Sequence, residues 1–295
     1  IDLDLSGFIS RNTDFKLGTR LSIKGDLSNK IKPIFSWETN NSRISSRDMS
    51  LDGISMQGRI EENQLRNTLS INSEAIKLKS DALYNYNLKN PQTTVLANIE
   101  RLDLNSIGLN FGAQKKEFKG IISSNIKGNS IDSLVGIINI SSASIKNEIY
   151  SEIFNPISIT LKSENNKNNL RIENTDCISG ELSGEFNISQ LRSLFQSTFH
   201  EVYPFLPKIQ APKNHNIKFN LNIYKKLLNT LYPNFSTINN VIMNGNINSN
   251  DSIAKFVIDA PLIKYKQIQF ENLHFEFDNK NPSQNSYLSV TNISN

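Results

Sequence analysis

The segment Cys177–Ser189, CISGELSGEFNIS, keeps a two-residue beat over almost its whole length. Ile178, Gly180, Leu182, Gly184, Phe186 and Ile188 hold the even positions. Ser179, Glu181, Ser183, Glu185, Asn187 and Ser189 hold the odd ones. Successive side chains of a strand point to opposite faces, so one face here is apolar or bare and the other is polar. Such a strand belongs in an antiparallel sheet with one side wet. Nothing in it has the pattern of a catalytic group, so the question of function becomes what the apolar face covers.

The same beat runs through the chain. Phe15, Leu17, Leu21, Ile23 and Leu27 alternate with Lys16, Gly18, Arg20, Ser22, Lys24 and Asp26. Ile217, Phe219 and Leu221 repeat it, as do Phe256 with Ile258 and Leu273 with Phe275. Polar turn clusters separate the runs, among them Glu164–Asn169 and Asn248–Asp251, and read as hairpin connections. An apolar-polar-Gly unit recurs at Gly25, Gly58, Gly120, Gly136, Gly184 and Gly245, at intervals near multiples of about 16, the length of two strands with their turns. These features predict a mainly β fold: an elongated, curved, repetitive antiparallel sheet with an apolar groove, continuous over residues 1–295.

Two segments leave the beat. Leu191, Leu194, Phe195, Phe199 and Val202 fall at helical spacing, with Ser189 as the expected N-cap and Pro204 and Pro207 as the stop. Leu227, Leu228 and Leu231 make a shorter turn before Pro233. Short amphipathic helices are therefore expected near 190–203 and 224–232, the first plugging the groove through Leu191, Leu194, Phe195 and Phe199.

Composition removes several classes. Of the 295 residues 37% are hydrophobic and 20% charged, with Asn and Ser filling the gap, a balance unlike charge-driven disorder. The formal charge of +4 is spread over strand positions such as Lys77, Lys79 and Lys218, whereas a nucleic-acid binder gathers its cations into a patch. Cys177 is the only cysteine, so no internal disulfide forms. No apolar run approaches the ~20 residues of a spanning helix, and the start at Ile1 without a leader suggests an internal piece of a longer chain.

Catalytic and metal motifs fail on inspection. His200-Glu201 begins like a zinc-protease helix, but Pro204 stands where the second histidine is needed. Ser55 in GISMQG has Gln57 where a nucleophile elbow needs glycine. His215 and His274 sit in unrelated settings, and Glu181 and Glu185 share a face only because the strand alternates. The expectation is a non-enzymatic protein with no cofactor and no metal.

The stretches Ser130–Glu148, Ile178–Pro207 and Val241–Asn279, the last with its apolar-x-Ala-Pro strand at Ala260 and Pro261, resemble the periplasmic repeats of the TamB family. The Asn/Ile/Lys/Ser-rich style is similar to that of TamB-like proteins of the Bacteroidota. The resemblance implies an AsmA-like, bridge-like lipid-transfer fold: a taco-shaped sheet anchored in the inner membrane, crossing the periplasm to a TamA-like outer-membrane barrel. It also implies phospholipid as cargo, a membrane at both ends and a part in outer-membrane protein assembly.

The physics of such a conduit is simple. Two lipid tails of roughly 30 methylenes cost on the order of 20 kcal/mol to carry bare through water at ~0.8 kcal/mol each. A trough lined by Phe15, Leu17, Leu21, Ile23, Leu27, Ile178, Leu182, Phe186, Ile188, Ile217, Phe219, Leu221, Phe256, Ile258, Leu273 and Phe275 removes that cost. Gly180 and Gly184 would give it curvature or room, and a charge at Phe186 would block it. The alternative is a β-rich scaffold or adhesin-like protein whose apolar faces bury one another. A membrane barrel fits less well, since the aromatics are not paired at strand ends.

Overall fold

The computed structural model describes residues 16–26, 34–45, 50–86, 91–107, 109, 114–147, 151–165, 167–202, 209–210, 212–232, 235–237, 240–251, 253–281 and 286–294. The chain is mainly β, built as open antiparallel sheet with two short helices, and it parts into two compact units. Ile1–Gly128 and Ile138–Pro156 form the first; Asn129–Ile137 and Ile157–Asn295 form the second. No helix among the described residues is long and apolar enough to cross a membrane.

The first unit holds β1 (Lys16–Gly18), β2 (Leu21–Asp26), β3 (Ile34–Ser45), β4 (Ser50–Glu61), β5 (Gln64–Asn72), β6 (Ile76–Asn85), β7 (Gln92–Asp103) and β8 (Glu117–Lys127). Most of β9 (Val135–Lys146) and all of β10 (Ser151–Ile153) complete it. From β2 to β8 each strand pairs antiparallel with the next, most of them through short polar connections and β7 with β8 through the longer segment 104–116. Register places Ile54, Ile71, Leu78, Ile99 and Gly120 in one row across five strands, and Ile60, Leu65, Tyr84, Thr93 and Ile126 in another.

Bulges keep these rows apolar. On β7 the register slips by one residue around Glu100, so Ile99 pairs with Leu78 and Gly120 while Leu102 pairs with Ile76 and Phe118. Strict alternation would have set Arg101 on the apolar face. The extra residue returns Leu102 to it, and Arg101 instead pairs with Glu117 at 2.9 Å.

The second unit runs β11 (Ile157–Glu164), β12 (Lys167–Glu173), β13 (Ile178–Glu185), α1 (Leu191–Val202), β14 (Asn216–Ile223), α2 (Lys225–Leu231), β15 (Phe235–Thr237), β16 (Val241–Asn248), β17 (Ile253–Tyr265), β18 (Ile268–Asp278), β19 (Ser286–Ser289) and β20 (Asn292–Ser294). The strands from β11 to β14 pair in sequence. Across α2, β14 pairs with β16, and β17 follows with its far half against β15. Strand β18 then carries β19 and β20 along its outer side.

One cross-strand row of this unit reads Leu161, Leu170, Leu182, Phe219, Gly245, Phe256, Phe277. Its neighbour on the opposite face reads Lys162, Asn169, Ser183, Lys218, Asn246, Lys255, Asp278. The alternation met in CISGELSGEFNIS therefore holds across the sheet as well as along the strand.

The recurring glycines serve two purposes. At Gly58 and Gly245 an aromatic ring of the neighbouring strand lies where a side chain would be: Trp37 over Gly58, and Phe219 2.5 Å from the Cβ position of Gly245. Gly180 and Gly184, with φ of 146° and 135°, take a backbone form that other residues rarely adopt. A side chain at either would run into the backbone of Asn220 or Asn216 on β14, so the space expected for an acyl chain is filled by the neighbouring strand.

Because Trp37 is the only tryptophan, the first arrangement has a direct readout. Gly58→Val should lift the ring off β4, shift its emission to the red and lower stability by about 1–3 kcal/mol. Unchanged emission would place the ring elsewhere.

Candidate functional site

The apolar face of the second unit is closed. Leu182, Phe186, Leu194, Ile217, Phe219, Ile247, Ala254, Phe256 and Phe277 form one buried cluster, with Ile217 at 0% and Phe256 at 2% exposure. Leu170, Ile188, Leu191, Phe195, Leu221, Met243, Ile258 and Phe275 pack around it. The cover is α1, whose Phe195 meets Phe219 edge to face at 5.7 Å.

The start of α1 differs from expectation. Ser189 does not cap it but lies in a 3-10 turn, Ile188–Gln190, that runs straight into the helix. Its backbone N–H and its hydroxyl both donate to the Asp132 carboxylate at 2.8 Å. Asp132 itself sits in a second 3-10 turn, Ile131–Ser133. A carboxylate 57 residues away in sequence thus accepts the bonds that a local cap would have supplied. At the other helix, Tyr232 N–H closes α2 onto the Leu228 carbonyl. The prolines expected to stop the two helices, Pro204, Pro207 and Pro233, lie outside the described residues.

Of the groove residues read from the sequence, Leu182, Phe186, Ile188, Ile217, Phe219, Leu221, Phe256, Ile258 and Phe275 meet in this one cluster. The helix residues Leu191, Leu194 and Phe195 meet there too. Leu273 belongs to a second, smaller cluster with Val241, Ala260 and Ile263, to which Leu228 of α2 adds. Ile178 is half-buried beside Ile223 at the end of β13. In the first unit Leu21 is half-buried opposite Thr39, and Ile23, at 36%, is exposed opposite Trp37. Leu17 pairs in register with Ile44. Phe15, Leu27 and the side chain of Phe199 lie outside what is described.

The apolar face of the first unit is of another kind. Met56, Ile60, Leu65, Leu69, Ile71, Leu78, Ile99 and Ile122 are all half-buried, and among the described residues no helix belongs to this unit. Sequence reasoning left these residues out of the groove lining although the same alternation marks them.

The polar face of the second unit carries a shallow cavity of about 990 Å³ over β11–β14. Its charged lining is Lys162, Lys167, Arg171 and Lys218 against Glu164, Glu173, Glu181 and Glu185. Four cations face four anions, and Arg171 is paired with Glu173 at 2.9 Å, so no field of one sign is offered to a polyanion.

Histidines are scattered: His200 lies in α1, His215 is buried before β14 with neither ring nitrogen hydrogen-bonded, and His274 Nδ1 is 2.6 Å from Asp259 Oδ1. Among the described residues no three His, Cys, Asp or Glu side chains gather as metal ligands. Cys177 is buried, and its thiol is pushed up to about 11, first by burial, then by the Asp176 charge, with Lys226 opposing. The thiolate, which is the reactive form, is thereby suppressed.

Compared with known proteins, the chain matches no family model, no curated protein and no solved structure.

Proposed function

We propose that this chain is a non-enzymatic lipid-conduit segment, whose apolar sheet face carries the acyl chains of phospholipid while the polar face meets water. The observation that carries the reading is the face of the first unit, where apolar residues stay in register from β4 to β8 and most of them, Ile54 and Ala97 being the buried exceptions, remain half-exposed. A lipid tail has no directional demands, so rows of interchangeable Ile and Leu let it slide with little change in contact. In this reading the segment works in the periplasm, within an envelope protein anchored in the inner membrane. It delivers phospholipid toward a TamA-like outer-membrane barrel and supports outer-membrane protein assembly.

The second reading, a scaffold whose apolar faces are self-buried, is favoured by the closed cluster beneath α1.

The test is to purify the chain without detergent and identify bound lipid by native mass spectrometry and extraction. A phosphatidylethanolamine with a photoactivatable acyl terminus is then crosslinked to it from vesicles. The expected result is co-purifying phospholipid and crosslinks on β4–β8. Leu78→Glu, which sets a carboxylate between Ile71 and Ile99, should lower labelling there at least tenfold, about 1.4 kcal/mol, with the circular dichroism unchanged. A lipid-free, unlabelled chain would overturn the conduit reading in favour of the scaffold.

A further inference from the structure

We propose that α1 is a displaceable plug, which holds the apolar face of the second unit closed until an acyl chain takes its place. The proposal rests on the conduit reading and adds regulation to it.

What α1 offers the sheet is chemically what a lipid tail offers. Leu191, Leu194 and Phe195 supply apolar contact to the cluster around Leu182 and Phe219. The helix hydroxyls do not reach for the sheet. Ser193 donates to the Gln190 carbonyl at 3.0 Å, and Ser197 and Thr198 donate to the Leu194 carbonyl at 2.8 and 2.9 Å. Such back-bonding satisfies the hydroxyls locally and slightly weakens the helix that carries them.

The helix is also poorly able to stand alone. Its sequence, LRSLFQSTFHEV, is 12 residues long, and seven of them (Ser193, Phe195, Ser197, Thr198, Phe199, His200 and Val202) come from the weaker half of the helix scale. Isolated helices of that length are marginal in water even with better residues. Docking therefore sustains α1, and loss of the docking face to a competitor releases it. The Ser189–Asp132 clasp holds the entrance to the helix through solvent-accessible groups, where water can replace each bond.

An approach to the covered face lies at its edge. Phe275, packed against the cluster, is the cross-strand partner of Leu288 on β19, which is 60% exposed. A chain arriving at Leu288 touches an apolar surface that continues without a polar break under α1.

The experiment converts the clasp into a lock. Asp132→Cys and Ser189→Cys are combined in the full chain, at the two positions whose side chains meet in the clasp, and closure of the disulfide is checked by thiol titration. Cys177 stays in place, because its buried thiol does not compete for oxidation. The same photoactivatable phosphatidylethanolamine is offered from vesicles to the reduced and oxidised protein.

The reduced protein should label β13, β14 and β17. Oxidation should cut that labelling at least tenfold while labelling on β4–β8 stays constant. Equal labelling of the second unit in both states would mean that acyl chains reach the face without displacing α1, and no labelling there in either state while β4–β8 label would make α1 a permanent part of the core; either outcome overturns the plug. Absence of label everywhere would overturn the conduit reading and the plug with it. In the unmodified chain, amide exchange over Leu191–Val202 should rise at least threefold when vesicles are added; unchanged exchange would also overturn the plug.

Discussion

Phe256→Ala lowers the unfolding free energy of the second unit by about 3–5 kcal/mol, the range for removing a fully enclosed phenylalanine. Phe256 is 2% exposed, and its ring centroid lies 5.1 Å from that of Phe277 and 5.9 Å from that of Phe275. Its cross-strand partner is Gly245, which has no side chain to move into the hole and is overlain by the ring of Phe219. Urea denaturation should show the midpoint falling by roughly 1–2 M at the slopes usual for soluble domains. Leu78→Ala, in the half-exposed row of the first unit, should cost about half as much or less, since it was partly in water to begin with. A loss below 1 kcal/mol for Phe256→Ala would mean the cluster beneath α1 is not closed. By the same reasoning Phe186→Glu, which the sequence suggests as a charge in an open trough, buries a carboxylate in this core and unfolds it. A clean test of lipid binding therefore uses Leu78.

Gly184→Ala is expected to be nearly as damaging for a change of one methyl group, at about 3 kcal/mol. The backbone form at φ 135° alone costs a non-glycine residue about 1–3 kcal/mol. The added methyl also meets the carbonyl and Cα region of Asn216–Ile217, which are backbone atoms and cannot turn aside. Relief requires β13 and β14 to separate at the Gly184–Ile217 pair, next to the most buried residue of the cluster. Gly25→Ala is the control, because the atom it meets, at 3.0 Å, is the edge of the Phe35 ring. Thermal or urea unfolding should rank Gly184→Ala far below Gly25→Ala. Equal stabilities would show that Gly184 is free to adopt ordinary strand geometry.

Strands were legible from the sequence because alternation is a local signal. The apolar half of CISGELSGEFNIS does face the same side as Phe219 and Phe256, and the two breaks in the beat are the helices α1 and α2. What covers an apolar face is not local information. Leu78 and Leu182 have the same kind of neighbours along the chain, yet one is half-exposed and the other buried, because α1 returns over only the second. Bulges defeat alternation for a related reason. Counting by twos from Ile99 gives Arg101 on the apolar face, and only the pairing with β6 and β8 reveals that Leu102 takes that place. The clasp between Ser189 and Asp132 joins two polar residues in two separate loops, a pairing that no periodicity announces.

Strand β16 has a consequence for how the protein ages. It contains Asn244-Gly245, the dipeptide that most readily loses its side-chain amide when the glycine nitrogen attacks the asparagine carbonyl carbon. Here the dipeptide lies inside a strand flanked on both sides by β14 and β17, and the Asn244 amide accepts a hydrogen bond from Asn220. An extended, doubly paired backbone cannot bend into the five-membered ring that this attack requires. Folded molecules keep the amide, whereas molecules that dwell unfolded exchange it for a carboxylate beside Asn220. The fraction of isoaspartate and aspartate together at position 244 is then a chemical clock of the time the population has spent with its sheet open.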